Sequence, residues 1–238
     1  MLFQLNATFW QNFATIFTNK EYLGMLFEGL GCTLLISLGA AVVGVLLGAL
    51  VAIVKIMPKK NPFMKVLNVV CDVYTTIFRG TPMALQLFIM AFVIFAIRGF
   101  PMEIVAILAF GINSGAYVSE SIRGGILSVD IGQMEAGRAL GLTYGKTMRK
   151  IIIPQAIKNV IPAIGNELIA LIKETSIVSM VGGLYDLTLV AKILGGGDKL
   201  ASFLVPMVVV ALFYLAIVYS LTFVIKMVER RLRASDKR

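Results

Sequence analysis

Residues 29–54 and 200–225 each run for 26 positions without a charged side chain. At about 1.5 Å per residue in a helix, either run exceeds the length needed to cross a hydrocarbon core about 30 Å thick. No water is present there to satisfy backbone N–H and C=O groups, so a spanning segment of this kind must bond its own backbone as a helix. The rest of the chain agrees, since 58% of its 238 residues are hydrophobic, 15% are charged, and the mean hydropathy is +0.89. These values describe a bilayer protein rather than a soluble domain. The fold class expected is an all-α integral membrane protein.

Three further apolar stretches carry isolated charges. Residues 66–97 contain Asp72 and Arg79, residues 104–127 contain Glu120 and Arg123, and residues 159–190 contain Glu167, Lys173 and Glu174. With the two charge-free runs they make five transmembrane helices, which puts the termini on opposite sides. Placing the C-terminus inside sends sixteen of the 22 Lys and Arg residues to inner segments: four within 55–65, six within 123–158 and six within 226–238. The excess of cations on that side predicts an N-out, C-in topology. It also ties the net charge of +9 to topology and anionic lipid, so nucleic acid is not needed as a partner. Residues 1–21 lack the basic start of a secretory signal and read as an extracytoplasmic or interfacial segment with Trp10 at headgroup level. Residues 22–232 form one membrane domain, and 233–238 a cytoplasmic tail.

Several chemistries are disfavoured. The chain has no histidine, the commonest general base and metal ligand, and its two cysteines, Cys32 and Cys71, fall in different spans. No catalytic or metal-ligating residues are assigned, and the chain is expected to be neither an enzyme nor a holder of a cofactor. Gly145-Lys146-Thr147 is reminiscent of a phosphate loop, but Leu140 stands where the first glycine is required and no strand precedes it.

The inner loop at about 128–156 has its own local logic. Asp130 can cap a helix over 131–140, with Gln133 completing a capping box, and Gly141 suits the stop. Thr143 can cap a second, basic helix running to about Ile153. Ala136, Gly137 and Ala139 are small enough for another backbone to approach, while Glu135 and Arg138 present charges at i and i+3. Such a hairpin either lies in a partner's groove or sits at the membrane interface.

Elsewhere, the ladder Ala40, Gly44, Gly48, Ala52 and the pair Gly111 and Gly115 offer smooth faces for close helix contact, between two copies or within one chain. Intramembrane charges are costly unless paired or facing water. Arg79 follows Asp72 by two helical turns, so either the two bracket one another or Arg79 offers its fork to a substrate carboxylate. Glu174, with the Thr175 and Ser176 hydroxyls, can accept an ammonium group, or Glu174 can form a structural salt bridge. Asn113 is a further candidate, and Glu120 and Arg123 read as a local pair. Gly80-Thr81-Pro82 should break the helix that carries Arg79.

The motif Glu135-Ala136-Gly137, Gly141 and Ile151-Ile152-Ile153-Pro154 resembles the cytoplasmic loop of permease subunits in ATP-binding-cassette importers. It departs from the commonest form at Gly137, where alanine is usual, and at Ile153, where leucine is usual. The stretches "FRGTPMALQLF" (78–88), "AYVSESIRGGILSVDIGQMEAGRALG" (116–141) and "IIIPQAIKNVIPAIGNELIALIKETSIVSMVG" (151–182) are similar to the polar amino acid permeases, the histidine, glutamine and arginine permease branch. The resemblance implies a type I importer permease fold in a bacterial inner or plasma membrane. It also implies a second permease, identical or paralogous, an ATPase that binds ATP and Mg, and an extracytoplasmic amino-acid-binding protein. Residues Glu135, Ala136, Gly137, Arg138, Gly141 and Pro154 would then couple to the ATPase. An ion-coupled secondary amino acid carrier is the alternative.

Overall fold

A computed structural model of the protein describes residues 2–59, 61–196, 199–200 and 202–234, and among these residues every regular element is a helix. A first helix, α1 (Leu2–Thr18), is followed after the single residue Asn19 by α2 (Lys20–Ile56), 37 residues long. Asn19 ends one helix and caps the next, accepting from Glu21 N at 2.8 Å. The remaining elements are α3 (Pro62–Gly80), α4 (Met83–Ile89), α5 (Met102–Leu127), α6 (Ile131–Ala139), α7 (Tyr144–Thr147), α8 (Ile153–Glu174), α9 (Leu187–Gly195) and α10 (Leu204–Ala234). Residues 235–238, most of the expected tail, lie outside the described residues.

Three helices, α2, α5 and α10, are long and apolar enough to cross a membrane, and α3 with α4 makes a fourth candidate bent by 109°. The bend falls at Gly80-Thr81-Pro82, as proline requires: Pro82 has no N–H to donate to Phe78 O, four residues back. Thus the stretch 66–97, counted as one span with a break expected at Gly80-Thr81-Pro82, is two helices meeting there at an elbow.

The stretch 159–190 also departs from a single helix. Helix α8 stops at Glu174, six residues of tighter 3₁₀ turn follow (Thr175–Met180), and Gly182 and Gly183, both at φ +74°, turn the chain into α9. Local hydroxyls explain the change. Thr175 donates to Ile172 O, Ser176 to Lys173 O and Ser179 to Ser176 O, each three residues back, in competition with the regular ladder. Lys173-Glu174-Thr175-Ser176 is therefore a helix end, not the midpoint of a span.

The small-residue ladder packs within the chain. A Cβ on Gly48 would lie 2.7 Å from Val118, one on Gly44 2.8 Å from the Ser114 hydroxyl, and one on Gly111 2.7 Å from Val43, so α2 and α5 touch nearly backbone to backbone. Around this pair lie two apolar cores. One gathers Ile36, Leu87, Phe110, Leu171 and Leu184; the other, toward α1, α9 and α10, gathers Ile16, Leu26, Leu187, Leu194 and Val209. Ile16 anchors α1 in the second core, while Trp10 is 62% exposed.

Candidate functional site

Four groups of polar residues stand out. The first is the hairpin formed by α6 and α7. Asp130 caps α6, accepting from Gly132 N at 2.6 Å. Gln133 does not close a capping box; its side-chain oxygen instead lies 3.5 Å from Gln155 Nε2. At the other end Leu142 N donates to Gly137 O and Gly141 N to Arg138 O, with Gly141 at φ +78°. This reciprocal pair of bonds is a Schellman stop, and its left-handed residue favours glycine.

Gly137 is buried against the second arm of the hairpin. A Cβ there would approach Thr147 Cγ2 to 2.5 Å, which accounts for glycine at a position where the resemblance leads one to expect alanine. Glu135, Ala136, Arg138 and Ala139 are exposed, as are Ile131 and Leu140, at 75% and 81%. Ile131 and Leu140 stand at opposite ends of α6, with Glu135 and Arg138 between them.

Thr143 caps the second arm through Lys146 N, but that arm does not end near Ile153. It passes through one wider, π-type turn (Met148–Ile152) straight into α8. The wide turn lies just before Pro154, whose ring would clash with a carbonyl four residues back in a regular helix. The result is a continuous rod from Tyr144 to Glu174.

The second group closes the elbow between α3 and α4. Asn113 Nδ2 donates to Phe78 O at 3.0 Å and to Gln86 Oε1 at 2.9 Å. Gln86 Nε2 in turn donates to Phe78 O at 2.9 Å and to Thr81 O at 3.1 Å, while the Thr81 hydroxyl donates to Ile77 O at 2.8 Å. The carbonyl that Pro82 leaves without its helical donor thus receives two amide donors. Asn113, expected as a substrate contact, is 5% exposed and occupied in holding this bend. Gln86 had no place in the sequence reading, although a glutamine four residues after a helix-breaking proline was the available signal.

The third group is ionic. Lys55 Nζ lies 2.9 Å from Asp72 and 2.6 Å from Glu120, and Arg123 binds the other Glu120 oxygen at 2.8 Å. The Glu120–Arg123 pair is as expected, but the centre of the network is Lys55, which the sequence reading placed in a loop. It occupies the last turn of α2, with its side chain only 11% exposed. Asp72 is therefore not bracketed by Arg79. The Arg79 guanidinium lies over the Tyr117 ring at 5.5 Å and is otherwise exposed.

The fourth group lies along α8. Glu167 and Glu174 are two turns apart on one face, both partly buried, and neither has an ion-pair partner among the described residues. The Ser114 hydroxyl, buried and without a hydrogen-bond partner of acceptable geometry, faces Glu167. Thr175, expected to complete a substrate shell, is fully buried and donates to a backbone carbonyl; Ser176 is partly exposed. No hydrogen bond or ion pair joins Arg79 to Glu174 among the described residues.

Among the described residues the chain is all-helical, with helices long and apolar enough to span a membrane and an exposed hairpin leading into a long rod. Residues 44–234 match the family described as binding-protein-dependent transport system inner membrane component, and the chain belongs to that family. It is 42% identical over 213 residues to the arginine transport system permease protein ArtQ of Bacillus subtilis (strain 168), covering 89% of this chain and 94% of that one. It is 36% identical over 222 residues to the L-cystine transport system permease protein TcyB of the same organism, covering 90% and 88%. Among solved structures, one described as an amino acid ABC transporter with histidines superimposes with a TM-score of 0.81 at 37% identity, covering 89% of this chain and 95% of that one. The fold is that of a type I ABC importer permease, a family for which a cytoplasmic coupling helix is typical.

Proposed function

We propose that this chain forms the translocation path of an ATP-driven importer for polar or charged amino acids, five-spanning and oriented N-out, C-in. It pairs with a second permease, identical or paralogous, because so few helices barely enclose a path. An extracytoplasmic binding protein delivers the amino acid. A partner ATPase binds and hydrolyses ATP with Mg and seats on α6 through Glu135, Ala136, Arg138 and the apolar Ile131 and Leu140.

The observation that carries this reading is the continuous rod from Tyr144 through Pro154 to Glu174, which ties the docking hairpin mechanically to the partly buried carboxylates. Motion of the ATPase would rotate the rod and open the path outward. On the substrate side, Glu174 and Glu167 are suited to an ammonium or guanidinium group, and Arg79 to a carboxylate. Ser176 lies beside Glu174 as a further polar contact. That the relatives are named for arginine and cystine transport supports an amino acid as the cargo.

The test is ATP-dependent uptake by the chain reconstituted in liposomes with its ATPase and binding protein, screened over charged and polar amino acids. Uptake of one class, lost on Glu174→Gln, is expected. Uptake driven by an ion gradient without ATP would make the protein a secondary carrier and end this reading.

A further inference from the structure

A polar pocket of about 450 Å³ opens between α2, α3 and α5. Four cations, Lys55, Lys59, Arg79 and Arg123, and two carboxylates, Asp72 and Glu120, line it, leaving two positive charges in excess. The carboxylates are already taken, since Lys55 binds both and Arg123 binds Glu120. Lys59 and Arg79 have no carboxylate within ion-pair distance among the described residues. Beside them stands Asn68, 3% exposed, whose amide nitrogen has no acceptor. A buried N–H left without an acceptor loses its hydration for nothing in return. Apart from the second oxygen of the half-exposed Asp72 carboxylate, the uncommitted charged and amide groups are donors, so the pocket favours an anion rich in acceptor oxygens.

The surroundings indicate which anion. Thr76, on the pocket margin, shares a helix face with Val69 and Val73, which are 60% and 52% exposed. A charged pocket bordered by an exposed apolar strip suits a headgroup with acyl chains attached. We propose that this pocket binds the phosphate group of an anionic phospholipid from the Lys/Arg-rich leaflet, held by Lys59 and the Asn68 amide, while Arg79, about 16 Å farther along α3, adds its charge from the other end of the pocket. Free phosphate shares the headgroup chemistry but gains nothing from the valine strip. Arg79 is shared with the import reading and Lys59 is not, so loss of lipid retention in Lys59→Gln reports on the pocket, whereas uptake reports on the path.

The test is native mass spectrometry of the detergent-purified permease complex with added phosphatidylglycerol or phosphatidylcholine, and inorganic phosphate as competitor. Phosphatidylglycerol is expected to be retained in preference and to resist inorganic phosphate. Its affinity should fall about fivefold in Lys59→Gln or Arg79→Gln and about thirtyfold in the double variant, at about one surface-cation interaction each. Arg79→Lys should keep most of it. Lys59 is exposed beyond the end of α2, so Lys59→Gln keeps the test decisive even if Arg79→Gln does not fold. Equal retention by the wild type and Lys59→Gln overturns the proposal, as does displacement of the lipid by inorganic phosphate.

Discussion

Asn113 and Gln86 meet side by side at the elbow between α3 and α4, and both donate to the one carbonyl, Phe78 O, that Pro82 cannot serve. Removing either amide leaves buried polar groups short of partners. Asn113→Ala and Gln86→Leu are each expected to cost about 1–3 kcal/mol of stability. The double variant should cost less than their sum, by about 0.5 kcal/mol or more, because the two share a partner. Thermal unfolding in detergent checks this; strictly additive losses would mean that the amides do not act together.

Gly141 holds the left-handed position of the Schellman stop, with open space where a side chain would go. Gly141→Val should strain the turn by about 1–2 kcal/mol without a steric clash. The permease should still assemble with its ATPase while ATP hydrolysis and uptake lose their fixed ratio. A normal ratio in this variant would contradict a coupling role for the turn.

Gly137 and Thr147 form a matched pair across the hairpin. Gly137→Ala alone is expected to weaken coupling, although alanine favours a helix by about 1 kcal/mol over glycine. Adding Thr147→Ala removes the clashing methyl and hydroxyl and should restore coupled uptake. Failure of that rescue would show that position 137 matters for contact with the ATPase rather than with Thr147.

Among the described residues, Lys55 is the one cation that holds both Asp72 and Glu120. Lys55→Met should destabilise the fold by about 3 kcal/mol, since it leaves the poorly exposed Glu120 with only Arg123. Asp72, with its side chain 53% exposed, should lose less than about 1 kcal/mol on Asp72→Asn. Chemical unfolding curves of the two variants separate these cases; equal losses would refute the ranking.

Lys199, outside the spanning helices, donates to Glu21 in the first turn of α2 at 2.7 Å, and that carboxylate raises the Lys199 pKa. A raised lysine contributes its stability fully below its unfolded pKa, about 10.4, and loses it only as pH climbs through the higher folded value. The stability difference between wild type and Lys199→Met should therefore stay constant between about pH 6 and 9 and shrink only in stronger alkali. A difference curve that changes near neutrality would contradict the assignment.

The charge-free runs made α2 and α10 legible, because nothing but a helix satisfies a backbone in lipid. The hairpin was legible too, since Asp130, Gly141 and Thr143 act within a few residues of their own backbone. What escaped was set at a distance or by small competing bonds. Lys55 looks like a loop cation until α3 and α5 bring Asp72 and Glu120 to it. Gln86 looks like a stray polar residue until the elbow turns it toward Phe78. The end of α8 at Glu174 depends on three hydroxyls and two glycines, whereas apolar composition continues unbroken past it.

The rod from Tyr144 to Glu174 crosses α5 where Val160 sits on Gly125, at a spot so tight that a Cβ on Gly125 would come within 2.5 Å of the valine. At about 1.5 Å per residue, about 24 Å of rod lies on the hairpin side of that crossing and about 21 Å on the other. A second close contact lies on the far arm, where a Cβ on Gly165 would come within 2.8 Å of Ile225 on α10, so the rod is clamped from two sides and is held to move together with both neighbours.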